Sequence, residues 1–249
     1  MVKQRRVAVI TAAGAVVCAE RAVPEPRDHE VLVRVRCSLI SPGSETDLVR
    51  TRRAAPAAAE DDWEFGYSCA GDIAAIRGEA PGLKVGMRVA CMCGEHADWN
   101  WVPVNLAVPI PDGVSYEEAA FTSLAATALQ AVRRTEVALG EYGLVLGLGI
   151  VGNLAAQLYR LSGARVLAWE KLAGRRRTAR RCGIGPVIDP ARKDAAECSR
   201  RFAAPYGADF ALLAFGGDAD AAFRSLTRAM KVSADGHIMG RVVVVGGCT

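Results

Sequence analysis

The sequence predicts an α/β protein, and three observations carry that prediction. The first half consists of short β-prone runs separated by Pro and Gly, the second half alternates apolar strands with helical segments, and a glycine-rich turn sits at the first strand-to-helix junction of that second half. The chain has 249 residues, 51% hydrophobic and 23% charged, enough for one large domain or two small ones, and the change of texture favours two.

From Val7 to Pro109 the strand candidates are Val7 to Ile10, Glu30 to Arg36, Gly71 to Ile76 and Arg88 to Cys91. Glu30 to Arg36 alternates charge with Val in the period of a strand with one wet face. Arg50 to Asp62 is Ala-rich and charged without a period, and reads as a mobile loop or irregular helix. After Pro109-Ile110-Pro111-Asp112-Gly113 the texture becomes helical. Ser115-Tyr116-Glu117-Glu118 has the capping-box form, a hydroxyl with an acid three residues on, and precedes a long apolar stretch from Ala119 to Val132.

A domain boundary follows in that stretch, giving a β-rich domain over 1–125 and a second domain over 126–249. From Tyr142 the strands are Leu144 to Leu146, Arg165 to Glu170, Val187-Ile188, Asp209 to Ala214 and Arg241 to Val245. The helices between them are Val151 to Ser162, Gly174 to Cys182, Ala191 to Phe202 and Ala219 to Val232. That order predicts βαβ units and a parallel sheet.

The turn Gly147-Leu148-Gly149-Ile150-Val151-Gly152 follows an apolar strand and opens an amphipathic helix, and Glu170 ends the next strand 23 residues after Gly147. A lone glycine triplet says little, but this context is that of a dinucleotide site. Gly147 permits the tight turn, Gly149 lets the backbone approach a pyrophosphate, and Gly152 lets helix and strand pack closely. The helix N-terminus near Ile150 and Val151 supplies the anion site. Glu170 is placed to accept hydrogen bonds from a ribose diol and to repel a 2′-phosphate, so NAD is expected rather than NADP. Lys171 and Arg175 complicate this, because either cation can contact the adenosine end or offset the acid.

The formal net charge of +4 is dispersed, which argues against nucleic acid as a partner, and the dense run Arg175-Arg176-Arg177 with Arg180 and Arg181 reads as a solvated helix face. No stretch approaches a membrane span and the N-terminus lacks a secretory pattern, so no membrane partner is expected. The eight Cys, scattered through a chain of this kind, fit reduced thiols and a cytoplasmic location.

Several further segments join the glycine loop: Phe65-Gly66-Tyr67-Ser68-Cys69-Ala70-Gly71-Asp72, Gly82 to Ala90, His96-Ala97, Val108 to Gly113, Glu117 to Ala120 and Thr127-Ala128. Together they resemble, in order and over nearly the whole chain, the medium-chain dehydrogenase/reductase superfamily, the zinc-type alcohol dehydrogenase relatives. The resemblance implies an N-terminal GroES-like β domain that handles a small-molecule substrate, followed by a Rossmann doubly wound parallel sheet. It also implies an oxidoreductase that moves a hydride to or from a hydroxyl, carbonyl or activated double bond. Zinc members carry three metal ligands at positions that match Ser41, Tyr67 and Ser123 here. Neutral hydroxyls at all three predict no zinc and no other metal. The motif Ile40-Ser41-Pro42-Gly43-Ser44-Glu45 resembles the Ser-Pro-Gly-Thr-Glu signature of a subgroup that includes dehydrogenases of pigment and specialised metabolism.

Without zinc a hydroxyl donor must steady the substrate oxygen, and Tyr67 is the first catalytic candidate. Its plainer reading is a wall tyrosine that only packs. Ser44 is a candidate proton relay or a turn cap, and His96 a candidate acid–base group or a satisfied structural histidine. Glu45 and Asp47 read as caps of local turns. If the resemblance holds, Thr127 contacts the nicotinamide, and Val245 with Gly246 meets its carboxamide end.

The sequence stops at Thr249, after what reads as the fifth strand of the second domain, whereas family members continue; the sheet is therefore expected to be C-terminally incomplete. Its open edge favours pairing with another chain, so homo-oligomerisation enters as an expectation. The early stop also keeps open a second function, a cofactor-binding but non-catalytic relative or partner subunit.

Overall fold

Cross-strand pairing and alternating burial build both halves of the chain, as seen in a computed structural model that describes residues 2–55, 61–192 and 194–246. The chain divides into two units, Met1–Leu124 and Ala125–Thr249. Among the described residues no helix is long and apolar enough to cross a membrane.

The first unit is antiparallel, as a GroES-like domain is. Strands β1 (Gln4–Ile10), β2 (Val16–Ala22) and β4 (Trp63–Glu64) form a sheet ordered β2-β1-β4, with β3 (Glu30–Ser38) following β2 in the chain. A second sheet joins β3 to β5 (Cys69–Arg77), β6 (Arg88–Cys91), β7 (Trp99–Pro103) and β8 (Ala107–Pro109) in the order β7-β3-β5-β6-β8. Its core is Val31, Val33, Cys69, Ile73, Val89, Cys91 and Val102. Strands β2, β7 and β8 carry no clean apolar alternation, and the sequence does not announce them.

Two expectations change here. Strand β3 does not have one wet face over its first residues, because Val31, Leu32 and Val33 are all buried. It is paired on both sides, by β5 and β7, and its register shifts between Leu32 and Val33. The segment expected as a mobile loop or irregular helix begins inside a regular helix, α1 (Ser44–Ala54), with Glu45 and Asp47 in its first turn and Arg52 and Arg53 in its last, as the helix dipole favours; residues 56–60 of that expectation lie outside the described ones.

The capping box forms as read: Ser115 Oγ accepts the Glu118 N–H at 3.1 Å and the Glu118 carboxylate accepts the Ser115 N–H at 2.8 Å. It caps a single turn, α2 (Tyr116–Ala119), and the long helix α3 (Thr122–Thr135) starts afresh. Ser68 Oγ donates to the Ala120 carbonyl at that break, 2.6 Å away.

The second unit is a parallel sheet of β9 (Tyr142–Leu146), β10 (Arg165–Trp169), β11 (Val187–Ile188), β12 (Phe210–Leu213) and β13 (Arg241–Val244), ordered β11-β10-β9-β12-β13. Between the strands run α4 (Ile150–Leu161), α5 (Ala173–Arg181), α6 (Ala195–Phe202) and α7 (Asp220–Thr227). Alternate residues feed two cores: Val145, Val166, Ala168, Phe210 and Leu212 pack with α3, α4 and α5, while Leu144, Leu146, Leu167, Trp169, Ala211 and Leu213 pack with α6 and α7. This is the doubly wound Rossmann arrangement, and chain order reverses between β9 and β12, the place where such sheets take ligands.

Two helices are shorter than the apolar pattern suggests. Helix α6 starts at Ala195 because Asp194 caps it, its Oδ1 accepting the Glu197 N–H at 3.0 Å. Helix α7 ends at Thr227 because the chain beyond it turns extended: the Ala208 N–H donates to the Ala229 carbonyl and the Lys231 N–H to the Ala208 carbonyl, both at 2.9 Å.

Candidate functional site

At the carboxyl ends of β9 and β10 the backbone shapes a site before any side chain does. Gly147 has φ +90°, a conformation L side chains rarely adopt. A Cβ at Gly152 would run into the Gly147 carbonyl oxygen and lie 3.1 Å from Ala214 Cβ, so helix and turn touch through the missing side chain. Gly149 differs: a Cβ there would meet nothing closer than Arg175 Nη1 at 3.9 Å. Gly149 is the N-cap of α4 and offers no side-chain cap, so the leading N–H groups around Ile150 and Val151 keep their donor capacity for an anion.

Glu170 is buried, with 5% exposure, and acts as a strut between two turns. Its Oε2 accepts the Leu148 N–H inside the glycine loop and its Oε1 the Leu172 N–H, each at 2.8 Å. Arg175 Nη1 lies 3.8 Å from Oε2, so one guanidinium stands beside both the acid and the open face of Gly149. The neighbouring Arg176 turns inward to the Glu170 carbonyl at 2.9 Å and to Asp189 at 3.0 Å. The Arg run therefore includes structural members, not only a solvated face. Val245 continues β13, its N–H donating to the Leu213 carbonyl at 2.8 Å, and Gly246 follows with φ +111°. The structure thus gathers Gly147, Gly149, Ile150, Val151, Gly152, Glu170 and Arg175, with Val245 and Gly246 at the same carboxyl edge of the sheet. Thr127 lies exposed on α3.

In the first unit His96 is the organising residue. Its Nδ1 lies 2.8 Å from Ser38 Oγ and its Nε2 3.1 Å from Glu45 Oε2. The Phe65 ring meets the imidazole edge-on with centroids 5.1 Å apart. Gly66, at φ +125°, leaves no room for a Cβ, which would lie 2.6 Å from the His96 backbone nitrogen. Glu45 was expected to cap a turn; it is 5% exposed and faces the imidazole instead. Nothing local marks Ser38 or Glu45 as partners of His96, since their bonds span 58 and 51 residues.

Tyr67 is half-buried, one residue beyond Gly66, and its hydroxyl makes no hydrogen bond among the described residues. Ser123 Oγ donates to the Tyr67 carbonyl at 2.9 Å, and Ser41 is buried with its carbonyl accepting the Glu45 N–H at 3.1 Å. Ser44 is exposed at the start of α1 and caps nothing with its side chain. Among the described residues no three His, Cys, Asp or Glu side chains gather as a metal-binding group.

No family model matches the chain. It is 28% identical over 220 residues to a sorbitol dehydrogenase of Bacillus subtilis (strain 168), a match covering 76% of this chain and 62% of that protein. The structure of an alcohol dehydrogenase superfamily protein from Novosphingobium aromaticivorans superposes with TM-score 0.80 at 26% identity, covering 98% of this chain and 73% of the other. A 2R,3R-butanediol dehydrogenase from Bacillus subtilis shares the fold at TM-score 0.80 and 18% identity, covering 98% of this chain and 78% of that one. The chain spans about three fifths of the length of the first curated relatives it matches.

Proposed function

We propose that the chain is a member of the medium-chain dehydrogenase/reductase superfamily, as its likeness to the dehydrogenases above supports, and that it is an NAD-linked oxidoreductase. In this reading it moves a hydride to or from a hydroxyl, carbonyl or activated double bond of a small molecule, without zinc. The observation that carries the proposal is the glycine loop. Gly147 and Gly152 are required by the turn and its packing, whereas Gly149 is required by neither and leaves its face open beside a helix N-terminus. An open glycine at that position suits a pyrophosphate.

When bound, the nicotinamide supplies the hydride donor or acceptor. Gly149, Ile150 and Val151 hold the pyrophosphate through backbone N–H groups, and Arg175 adds a cation beside it. Glu170 has committed each carboxylate oxygen to one N–H, and each keeps a second lone pair for a ribose hydroxyl. Its charge disfavours a 2′-phosphate, which supports NAD over NADP even with Arg175 at 3.8 Å. Thr127, Val245 and Gly246 complete the proposed cofactor contacts.

Two hydroxymethyl groups and a phenol at Ser41, Ser123 and Tyr67 do not fit zinc, which takes thiolate, imidazole or carboxylate ligands, and Ser123 already spends its hydroxyl proton on the Tyr67 carbonyl. In this reading the Tyr67 hydroxyl donates to the substrate oxygen, with Ser44 and His96 as the remaining acid–base candidates.

The test is a fluorescence titration with NADH and NADPH beside metal analysis and a turnover panel of alcohols, ketones and enones. Tighter binding of NADH, with turnover in metal-free protein, is expected. Failure to bind either dinucleotide refutes the proposal, stoichiometric zinc refutes its mechanism, and NADH binding with no turnover selects the non-catalytic reading.

A further inference from the structure

The net charge of +4 is not shared between the two units. Residues 1–124 carry 13 Lys and Arg against 17 Asp and Glu, and residues 125–249 carry 18 against 10, so the first unit is acidic by 4 and the second basic by 8. Charge that looks dispersed along the sequence is gathered in one half, and topology decides where in that half it lies. Between parallel strands a helix must run back from the carboxyl edge to the amino edge, so α4, α5 and α6 end where β10, β11 and β12 begin, and α3 leads into β9 at the same edge. Every one of these four last turns is basic. Arg133, Arg134, Arg160, Arg181 and Arg200 are exposed there, and their side chains make no ion pair among the described residues.

Contacts tie the four helix ends into one surface. The Gly140 N–H donates to the Gly163 carbonyl at 3.0 Å, which sets the turn before β9 against the turn before β10. Arg160 Nη1 stands 3.1 Å from where a Cβ of Gly183 would lie, so the end of α4 reaches the end of α5. Tyr142, the first residue of β9, meets Phe202, the last of α6, edge-on with centroids 5.4 Å apart. From this edge three apolar side chains project: Leu139 before β9, Leu161 at the end of α4 and Tyr206 before β12, with exposures of 86%, 84% and 73%. No other large apolar side chain among the described residues exceeds 63%. Compensation of helix dipoles accounts for basic last turns, but not for leucines held in water beside them. The segments joining these helices to their strands contain three acids, of which Glu141 binds Arg241, Asp209 binds Lys231 at 3.2 Å, and Glu136 alone makes no ion pair among the described residues.

We propose that the amino edge of this sheet docks on an anionic lipid bilayer, with the arginines among the headgroups and Leu139, Leu161 and Tyr206 at the boundary of headgroup and acyl chain. Cations draw the surface to anionic lipid, and the projecting leucines and the amphipathic tyrosine ring gain by leaving water there. A second copy of the chain would set arginine against arginine across a self-complementary contact. A nucleic acid would take the arginines but offer the leucines only phosphate and sugar. The glycine loop lies at the opposite, carboxyl edge of the same sheet and stays clear of the bilayer, so lipid docking is independent of the cofactor reading.

The test is co-sedimentation of the full chain with phosphatidylcholine vesicles, with and without phosphatidylglycerol, at low and high salt, beside binding to a DNA duplex. The parent is expected to sediment with the phosphatidylglycerol vesicles alone and to be released as salt rises. One cation near an anionic surface contributes roughly fivefold in affinity, so Arg133→Gln, Arg134→Gln and Arg160→Gln combined should weaken vesicle binding roughly 100-fold. Leu139→Ser with Leu161→Ser should weaken it roughly tenfold or more while melting like the parent, because both side chains already lie in water in the free protein. No sedimentation with phosphatidylglycerol vesicles at low salt overturns the proposal, as does vesicle binding that the leucine pair leaves unchanged. Tighter binding to the DNA duplex than to the vesicles overturns it in favour of a nucleic acid. If the leucine pair does not fold, Leu161→Ser alone with undiminished vesicle binding overturns it equally.

Discussion

Substituting Ala at Gly149 and at Gly152 separates the two reasons a chain keeps glycine in a turn. At Gly152 the added methyl meets the Gly147 carbonyl oxygen and lies 3.1 Å from Ala214 Cβ, and backbone cannot swing aside as a side chain can. Overpacking of this kind costs about 1–3 kcal/mol, and the backbone clash places it near the upper end. At about 2–4 °C per kcal/mol for a chain of this size, Gly152→Ala should melt roughly 6–12 °C below the parent. At Gly149 the backbone angles are φ −64° and ψ −170°, which Ala adopts freely, and its methyl has open space. Gly149→Ala should therefore melt at or slightly above the parent, since Ala restricts the unfolded chain by about 0.4–1 kcal/mol more than Gly. In the proposed reading its methyl projects where a pyrophosphate approaches, and a clash of about 1–3 kcal/mol corresponds to roughly 5- to 150-fold weaker NADH binding. Differential scanning fluorimetry and a fluorescence titration of both variants give the answer. A Gly149→Ala protein that binds NADH like the parent, or a Gly152→Ala protein that melts like it, refutes the reasoning for that position.

Three further outcomes follow from single contacts. Glu170→Gln leaves one acceptor oxygen for two N–H donors, so it should cost about 1–3 kcal/mol in a thermal melt and reduce the preference for NADH over NADPH in titration; an unchanged ratio of the two affinities would remove Glu170 from cofactor selection. Burial pushes the Asp72 carboxyl up, but hydrogen bonds from Tyr116 and Arg36 overcome that and hold it below the ordinary carboxylate range. A depressed carboxyl stabilises the fold above its unfolded value and loses that contribution as pH falls through the folded one, so Asp72→Asn should flatten the fall of melting temperature below about pH 4. Burial pushes the Cys93 thiol up to about 12, and the hydrogen bond that the Cys91 thiol donates to Cys69, with burial, raises Cys91. Alkylation at mildly alkaline pH should therefore mark exposed Cys18 and Cys182 first in a peptide map, with Cys91 and Cys93 labelled only after denaturation.

The second unit was readable from sequence because its determinants are local. Gly147 to Gly152 is one turn, Glu170 ends the next strand, and the alternation of apolar strands with helices is the order in which a doubly wound sheet is built. Where that reading erred, a contact from elsewhere decided the outcome, as at α7, whose apolar pattern runs on to Val232 while Ala208 captures Ala229 and Lys231 as extended chain. In the first unit the determinants are distant. Strands β2, β7 and β8 exist because partners wait for them in the sheet, not because their own residues alternate. Glu45 could only be read as a cap, since the histidine it faces lies 51 residues away.

The same contrast separates the glycine loop from the polar contacts of the first unit. The loop at Gly147 to Gly152 is defined by backbone angles, by a helix N-terminus and by Glu170, all within the second unit, so nothing at Ser41, Tyr67 or Ser123 enters its construction. The first unit's polar line is built from side chains alone. Glu45 Oε1 is the one buried side-chain acceptor atom among the described residues with no hydrogen-bond partner.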